Sequence, residues 1–348
     1  MEITTGSRYT TNYANSNASH YGFFALLYGR SPLDYFEALE EGEPPTLPWL
    51  LQQWGWSSHY LSCADLRWRQ MERFLGRPHF EAHLHRGSLD RCDADVVASA
   101  RAILREPADG PRLLLAFLMS THFSYHYPPD VARFEPAAPP INALDDALER
   151  DRPALWNRYR NSAAHLDRVV GELLDAVDLE NTVVIVTGDH GEALFDDGTL
   201  AHSSLLSEIQ TRVPMVMLGV GGRPGSVVGR TTSHIDVLPT LLSRLGLDER
   251  VWAGLPGRPL TREPLRGESP AYAPLVHAKG LGGGRERLAL VSGERRYGLR
   301  LGPGGSGLLF LGPLDDRGRP TGAPVSDSEA QDVLVWLEDL LVPSEARH

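Results

Sequence analysis

The stretch that decides the fold is "NTVVIVTGDHGEALFDDGTLAHSS", residues 181–204. Its first part is a run of β-branched and apolar residues, which is typical of a strand buried on both faces in a parallel sheet. The run stops at Gly188, Asp189 and His190 follow directly, and His202 comes twelve residues after His190. A buried strand is therefore predicted to deliver a carboxylate and an imidazole side by side at its carboxyl end.

Strand-like and helix-like segments alternate along most of the chain. The apolar runs RLLLAFLMS (112–120) and VPMVMLG (213–219) predict further buried strands. Residues 93–106, 154–177 and 233–247 repeat apolar side chains at helical spacing. This alternation predicts an α/β fold with a mostly parallel central sheet sandwiched by helices.

The composition changes after the last of these helices. Pro and Gly are frequent in residues 254–270, which predicts a connector. Short segments typical of antiparallel strands follow, and then Ser326 and Glu329 stand at the spacing of a capping box that opens a last helix. We therefore predict a core at residues 1–250 and a small C-terminal α+β subdomain at residues 251–348.

The charge of the chain argues against a broad nucleic-acid-binding face. Its 348 residues include 34 Lys and Arg against 45 Asp and Glu, a formal net charge of −11, whereas phosphate backbones select basic surfaces. The chain also lacks a nucleotide-binding loop of the G-x-x-x-x-G-K-[ST] type. An acidic protein still binds a phosphate or sulfate ester where a metal ion lies in the site.

The chain as given predicts neither an export signal nor a membrane-spanning helix. Its most apolar runs fall well short of the roughly 20 residues that cross a bilayer, and its polar N-terminus lacks the apolar stretch of a signal peptide. The two cysteines, Cys63 and Cys92, fit no metal motif. We interpret them as two structural thiols, with one disulfide as the alternative that the sequence leaves open.

Polar side chains follow two of the predicted strands. Asp189 and His190 end one strand, and Thr121 and His122 end another. Ligands bind beyond the carboxyl ends of parallel strands, and a carboxylate with an imidazole suits Zn²⁺ or Mn²⁺. The alternative interpretation is that Asp189 caps the next turn and that His190 is an ordinary loop histidine. The flanking glycines and the strand context favour a metal site, over which the loop that carries His202 folds back.

Several motifs together resemble a known family. TGDHGEALFDDGTLAHS, RVPMVML and SHIDVLPTLL, in that order, resemble the sulfatase branch of the alkaline phosphatase superfamily. FLMSTHFSYHYP resembles the histidine-bearing strand end of its lipoteichoic acid synthase and phosphoethanolamine transferase members. NSNASHYGFFALLYGRSPLDYF is similar to membrane-anchored sulfatase-like proteins linked to lipopolysaccharide control. The resemblance covers most of residues 10–250 and implies an alkaline-phosphatase-like catalytic core there.

The resemblance implies a metal site and a nucleophile. Asp189 and His190 match the two metal ligands of the family's Asp-His-Gly-Glu motif, and Ser19 falls where the family places its nucleophile and a further metal ligand. The implied cofactor is one divalent metal ion: Zn, Mn, Mg or Ca. Neither Cys-x-Pro-x-Arg nor Ser-x-Pro-x-Arg surrounds Ser19, so formylglycine formation is not expected, which favours phosphoryl chemistry.

The resemblance also implies residues that bind the substrate. His202 matches the histidine that contacts the phosphoryl or sulfuryl oxygens, and His122 matches a strand-end histidine that binds substrate and helps the leaving group depart. Asn17, two residues before the serine, is placed to orient substrate oxygens. The implied activity is that of a metal-dependent sulfatase-like hydrolase or phosphoryl transferase that acts on phosphate or sulfate esters. The implied substrates are linked to a lipid or an envelope glycan and lie at the extracytoplasmic face of the inner membrane. Nucleic acid is not an implied partner.

One part of the family pattern is missing. The family places a strand ahead of the nucleophile that ends in acidic metal ligands, whereas Glu2 is the one acidic residue before Ser19. We interpret the chain as one whose N-terminal segment, with that strand and a membrane anchor, is truncated. The alternative is a catalytically weak sulfatase-like pseudoenzyme that binds lipid head groups or a regulatory partner.

Overall fold

The computed structural model describes residues 6–141, 143–220, 223–252, 254–261, 273–276, 287–301 and 308–341. The chain divides into two compact units. The first unit holds Met1–Glu43 with Leu179–His348, and the second holds Pro44–Asp178.

The strands and helices alternate along the chain, as the sequence predicts. The strands are β1 Gly6–Tyr9, β2 Asn12–Tyr13, β3 Ser57–Ser62, β4 Glu81–Leu84, β5 Arg112–Ala116, β6 Val183–Thr187, β7 Ala193–Leu194, β8 Leu200–Ala201, β9 Met215–Gly219, β10 Ser226–Val228, β11 Thr232–Ser233, β12 Ala273–Val276, β13 Arg287–Ser292, β14 Arg295–Leu301 and β15 Leu308–Pro313. The α-helices are α1 Ser19–Tyr28, α2 Tyr35–Glu41, α3 Thr46–Gln53, α4 Glu72–Leu75, α5 Cys92–Arg105, α6 Leu144–Leu148, α7 Arg152–Leu174, α8 Glu208–Thr211, α9 Val237–Arg244 and α10 Asp327–Leu341.

The sheet of the first unit has the strand order β10-β1-β9-β6. Strand β1 runs parallel to β10, but β9 runs antiparallel to both of its neighbours, β1 and β6. A core cluster beside this sheet joins Tyr9, Met215, Met217 and Val237, with Ile185 packed against it. The parallel sheet that the sequence predicts is thus mixed in this unit, because the VPMVMLG strand enters from the opposite direction.

The sheet of the second unit has the order β4-β3-β5, and both of its pairings are parallel. Helix α5 covers one face of this sheet through a cluster that joins Leu61 with Val96 and Ala100. The long helix α7 adds Leu173 to the same cluster. Strands and helices alternate along this segment as in other α/β proteins.

Strands β5 and β6 are less buried than their sequences predict. All five residues of each strand are only partly buried, although a continuous apolar run predicts burial on both faces. The physical reason is their position: among the described residues, β5 pairs with β3 alone and β6 pairs with β9 alone. Each is therefore an edge strand of its own sheet.

Two short strands near the N-terminus, β1 and β2, are not predicted by the sequence. The polar sequence before Ser19 reads as a loop, yet β1 lies between β9 and β10, and β2 pairs with β11. Neighbouring strands supply the backbone hydrogen bonds, so tertiary pairing overrides a sequence without clear alternation. Neither strand ends in an acidic residue.

The C-terminal part contains the antiparallel strands and the last helix that the sequence predicts. Strands β12 to β15 form one antiparallel sheet in sequence order. At the start of α10, the Glu329 carboxylate accepts from the Ser326 backbone N–H at 3.0 Å, and the Ser326 hydroxyl oxygen accepts from the Glu329 N–H at 3.3 Å. This is the predicted capping box. Residues 262–270 of the predicted connector lie outside the described residues, and the domain limits at 250 and 251 stay a prediction.

Within the described residues, none of the helices combines the length and apolar character that crossing a bilayer requires.

The interpretation of the cysteines as two separate thiols is wrong. Cys63 and Cys92 form a disulfide, with their Cα atoms 6.0 Å apart. Cys63 follows the end of β3 and Cys92 begins α5. The two meet because α5 packs on the face of β3 that carries Leu61, and spacing in the sequence does not reveal that packing.

Loss of this disulfide is expected to destabilise the second unit. The bond closes a loop of 29 residues, and a loop of that length corresponds to about 3–4 kcal/mol of unfolded-state entropy. Guanidinium unfolding with and without a reductant measures the effect. The matched control is the Cys63→Ser, Cys92→Ser protein, whose unfolding midpoint should be the same with and without the reductant. An unchanged midpoint for the reduced natural protein would contradict the expectation.

Candidate active site

Ser19 is the first residue of helix α1. The preceding residue, Ala18, has extended backbone and caps the helix, and the sequence SHYGFFALLY that follows is buried at nine of its ten positions. The helix ends at Gly29, which adopts the left-handed conformation that glycine favours. Ser19 therefore lies at the positive end of a ten-residue helix dipole, and its side chain is held in a nearly closed environment, 7% exposed.

The Asp-His pair lies at the carboxyl end of β6 and meets Ser19 there. The Ser19 Oγ is 3.1 Å from His190 Nε2, and Asp189 Oδ2 is 3.5 Å from the same nitrogen. Gly22 permits this approach, because a Cβ on that residue would come within 2.3 Å of the Asp189 carbonyl oxygen. The structure thus brings Ser19 together with Asp189 and His190, although Ser19 and His190 are 171 positions apart in the sequence.

The three side chains fit a divalent metal ion. Ligands of a tetrahedral Zn²⁺ with bonds near 2.1 Å lie about 3.4 Å from one another, close to the two distances from His190 Nε2. The His190 Nδ1–H donates to the Gly191 carbonyl at 2.9 Å, which leaves the lone pair on Nε2, the atom that faces Ser19 and Asp189. Such a second hydrogen bond is the usual way in which a protein orients a metal-binding imidazole.

His202 returns to the same site through the β7–β8 hairpin. Its Nδ1–H donates to Glu192 Oε2 at 2.7 Å, and its ring centroid is 4.1 Å from that of His190. Ligand atoms of His190, Glu192 and His202 all lie within 4.8 Å of one another. Burial lowers the pKa of His202, although Asp189 opposes that effect.

A buried polar network fixes the loop that carries His202. Asp197, 2% exposed, accepts from the Ser207 hydroxyl at 2.5 Å and from the Gln210 amide at 2.9 Å. Burial raises the pKa of Asp197, but the hydrogen bonds from Ser207 and Thr199 outweigh burial and hold it below its usual range. The Asn17 side-chain amide donates to the Leu205 carbonyl at 2.9 Å. In the structure Asn17 thus holds this loop, and its predicted contact with substrate oxygens stays a prediction.

His234 and Asp236 lie behind the site, at the turn that precedes α9. The His234 Nε2 is 3.5 Å from the Thr187 hydroxyl, and burial lowers the pKa of His234 to about 4. Asp236 accepts from the backbone N–H groups of Ser233 and Arg258, each at 2.8 Å, and burial raises its pKa to about 6. His234 therefore contacts the end of β6 through Thr187, whereas Asp236 fixes the backbone of the turn before α9.

Acid is expected to destabilise the metal-free protein through His234. Its pKa is lowered on folding, from about 6.5 in an unfolded chain to about 4, so the unfolded state binds the extra proton between these values. The contribution of His234 to stability is therefore lost as the pH falls through that window, by about 2 kcal/mol between pH 7.5 and pH 5. Asp236, whose pKa burial raises to about 6, contributes with the opposite sign, so the His234 effect is the difference between the natural protein and His234→Gln. Denaturant unfolding at both pH values should show a smaller loss for His234→Gln. An equal loss in both proteins would refute the assignment.

His122, the other predicted substrate-binding histidine, belongs to the second unit. It follows β5 in a tight turn, in which the His122 N–H donates to the Met119 carbonyl at 3.0 Å and the Tyr125 N–H donates to the His122 carbonyl at 2.7 Å. Asp93 accepts from the N–H groups of Met119 and Ser120 and so anchors the same turn. The role of His122 in substrate binding stays a prediction.

Two residues of the site escaped sequence reasoning in their present roles. Glu192, which follows the Asp-His pair and its glycine, favours a metal site by its position in the sequence, but in the structure it is the hydrogen-bond partner of His202. Gly22 lies in an apolar run that gives no sign of a close contact with Asp189. A glycine inside a helix lowers stability relative to alanine. Its presence at position 22 is therefore the one sign in the sequence that another part of the chain packs closely there.

Comparison with known proteins identifies the family. The sequence profile of the sulfatase family matches residues 2–247. The chain belongs to the sulfatase family. Among curated sulfatase-family relatives, the low-salt glycan biosynthesis sulfotransferase Agl7 of Haloferax volcanii is 33% identical over 104 residues, which is 28% of this chain and 26% of the relative. The match thus spans about a quarter of that protein's length.

Solved structures confirm the fold of this sulfatase-family chain. The phosphonate monoester hydrolase of Agrobacterium radiobacter aligns with a TM-score of 0.68 at 18% identity, over 99% of this chain and 90% of that one. The C-terminal periplasmic domain of EptC from Escherichia coli, in complex with Zn, aligns with a TM-score of 0.57 at 18% identity, over 75% and 77%. At such identities the likeness shows the fold, and the predicted alkaline-phosphatase-like α/β class is confirmed.

Proposed function

We propose that this sulfatase-family chain is a metal-dependent hydrolase or phosphoryl transferase that acts on phosphate or sulfate esters, with Ser19 as its nucleophile. The observation that carries the proposal is the convergence of the Ser19 hydroxyl, His190 Nε2 and Asp189 Oδ2 at the start of helix α1. The matched relatives include a sulfotransferase, and the structural neighbours include a phosphonate monoester hydrolase and a Zn complex. These names support the reaction class.

Ser19 is suited to attack the phosphorus or sulfur atom. A serine hydroxyl is weakly nucleophilic at neutral pH and needs activation. Asp189, His190 and Ser19 would hold a divalent ion (Zn, Mn, Mg or Ca), which would supply that activation and offset charge on the ester oxygens. Because Ser19 opens α1, the positive end of the helix dipole also favours a negatively charged ester at this position.

Glu192 and His202 act as a pair in this proposal. The hydrogen bond from His202 Nδ1 to the Glu192 carboxylate fixes the ring orientation and assigns the substrate side to Nε2. When His202 is protonated, Nε2–H donates to an ester oxygen and the carboxylate offsets the positive charge. His122 is proposed to serve the leaving oxygen, and Asn17 a substrate oxygen, as the family resemblance implies.

Phosphoryl chemistry is the favoured branch of the proposal. The motif for formylglycine formation is absent around Ser19. An unmodified serine that attacks the phosphorus atom forms an Oγ–P bond as the P–O bond to the ester's alcohol breaks, which gives a covalent phosphoryl-enzyme and the free, protonated alcohol. Water or an acceptor alcohol then attacks the same phosphorus atom, takes the phosphoryl group and restores the Ser19 hydroxyl. We further propose that the substrate is linked to a lipid or an envelope glycan and lies at the extracytoplasmic face of the membrane, because one structural neighbour is a periplasmic domain.

Replacing Glu192 by glutamine is expected to lower kcat about 10- to 100-fold, a range typical of residues that orient a catalytic imidazole. The amide can still accept from Nδ1–H but cannot offset an imidazolium charge, so the loss falls on kcat more than on KM. Steady-state kinetics measure it. Glu294→Gln, in the exposed turn between β13 and β14, is the matched control and should leave both constants unchanged.

A panel of chromogenic esters tests the proposed function. The purified chain, stripped with a chelator and then given Zn²⁺, Mn²⁺, Mg²⁺ or Ca²⁺ in turn, is offered p-nitrophenyl phosphate, bis-p-nitrophenyl phosphate and p-nitrophenyl sulfate. We expect metal-dependent turnover of at least one phosphate ester. Binding of metal with no turnover of any ester would favour a pseudoenzyme. A protein that bound no metal and turned over no ester would contradict the proposal outright.

A further inference from the structure

A second group of metal-ligating side chains lies in the second unit, on the sheet β4-β3-β5. It consists of His59, Glu81 and His83, whose ligand atoms all lie within 4.8 Å of one another. All three belong to the unit Pro44–Asp178, whereas the proposed catalytic ligands Asp189 and His190 belong to the other unit. It shares no ligand with the group of His190, Glu192 and His202, so it is a second candidate metal site.

The parallel register of β3 and β4 places the three side chains on one face. His59 lies opposite Glu81, and Leu61 lies opposite His83. Since side chains two apart on a strand share a face, His59 faces the same side as both residues of β4. The backbone ladder thus fixes the three Cα positions before any ion binds, which is what a site on rigid elements requires.

The distances within the cluster suit one ion. His59 Nδ1 is 3.3 Å from His83 Nε2 and 3.7 Å from Glu81 Oε2. These values bracket the spacing of about 3.4 Å expected between ligands of a tetrahedral Zn²⁺. The other ring nitrogen of His59, Nε2, lies 3.2 Å from the Ser57 hydroxyl, so a hydrogen bond there orients the imidazole with Nδ1 toward the cluster.

The cluster is open to solvent on the side of the carboxylate. The side chain of Glu81 is 57% exposed, whereas that of His59 is 14% exposed. Solvent therefore reaches the cluster from the side of β4, and the two imidazoles lie deeper than the carboxylate rim.

We propose that His59, Glu81 and His83 form a zinc-binding site that clips strand β4 to strand β3. Two imidazoles and one carboxylate are a ligand set that Zn²⁺ accepts with water in the remaining position. Strand β4 is a four-residue edge strand with three exposed residues, so a metal cross-link adds stability where the backbone ladder is short. The ion stabilises the second unit and takes no part in ester cleavage.

The experiment uses the full chain with the proposed catalytic ligands removed. An Asp189→Asn, His190→Gln protein is titrated with ZnCl₂ against a chromogenic chelator. We expect about one equivalent of tightly bound Zn²⁺ and a raised thermal midpoint. Adding His59→Gln and His83→Gln should abolish both effects, whereas adding His79→Gln, a histidine of the same unit outside the cluster, should leave both in place.

Two outcomes would overturn the proposal. One is that the Asp189→Asn, His190→Gln protein, folded by circular dichroism, binds no Zn²⁺; the other is that binding survives the loss of both His59 and His83. A Co²⁺ titration guards against a folding artefact, because the visible absorption of Co²⁺ bound by imidazoles should weaken on Glu81→Gln substitution, which leaves both histidines in place. An unchanged Co²⁺ spectrum in Glu81→Gln would exclude the carboxylate.

Discussion

Replacement of Ser19 by alanine is expected to abolish ester turnover, with a fall in kcat of about a thousand-fold or more. The hydroxyl is the one group proposed to form a bond with the substrate, and it lies 3.1 Å from Nε2 of His190, a proposed metal ligand. Steady-state kinetics with the preferred aryl ester provide the measurement.

Two variants make this result interpretable. Ser19→Thr keeps a hydroxyl at the same position and should retain measurable turnover. Ser226→Ala, on strand β10, removes a hydroxyl that donates to another serine, Ser7, and should leave kcat within about two-fold. Full activity in Ser19→Ala, with an unchanged thermal midpoint, would exclude Ser19 as the nucleophile and leave the rest of the site to be reassigned.

Replacement of Asp189 by asparagine is expected to weaken metal binding about 100-fold or more and to remove most of the activity at low metal concentration. The change deletes a negative charge 3.5 Å from the His190 Nε2, where the ion is proposed to lie, and first-row metals bind carboxylate more tightly than amide. The measurement is the concentration of Zn²⁺ that restores half of the maximal activity after chelation.

A neighbouring aspartate offers the matched control. Asp196 is exposed in the β7–β8 turn and accepts from the Leu194 N–H at 3.1 Å, so Asp196→Asn makes the same chemical change outside the site. It should leave the half-saturating metal concentration unaltered. If Asp189→Asn and Asp196→Asn needed the same metal concentration, Asp189 would not be a ligand.

The sequence alone was sufficient for the elements that carry strong periodic patterns. The apolar run before Asp189, the amphipathic α5 and α7, and the capping box at Ser326 all appear where predicted. The same reasoning placed Asp189 and His190 at a strand end and suggested that His202 returns to them, and the structure brings these residues together. Local pattern and strand topology were enough in these cases.

Features that depend on tertiary packing could not be read from the sequence. Strands β1 and β2 exist because neighbouring strands pair with them, and the Cys63–Cys92 bond exists because α5 packs on β3. The Glu192–His202 hydrogen bond depends on how the β7–β8 hairpin between the two residues folds back. The cluster of His59, Glu81 and His83 depends on strand register, which a single sequence does not supply.

The most direct test of the central claim is the capture of a covalent intermediate on Ser19. The protein, loaded with its preferred metal, is mixed with a slow aryl phosphate ester, quenched in acid within the first turnovers, digested and analysed by peptide mass spectrometry. We expect a phosphoryl group on Ser19 and none in the Asp189→Asn protein. Turnover without modification of Ser19, or a modified residue elsewhere that persists in Ser19→Ala, would contradict it.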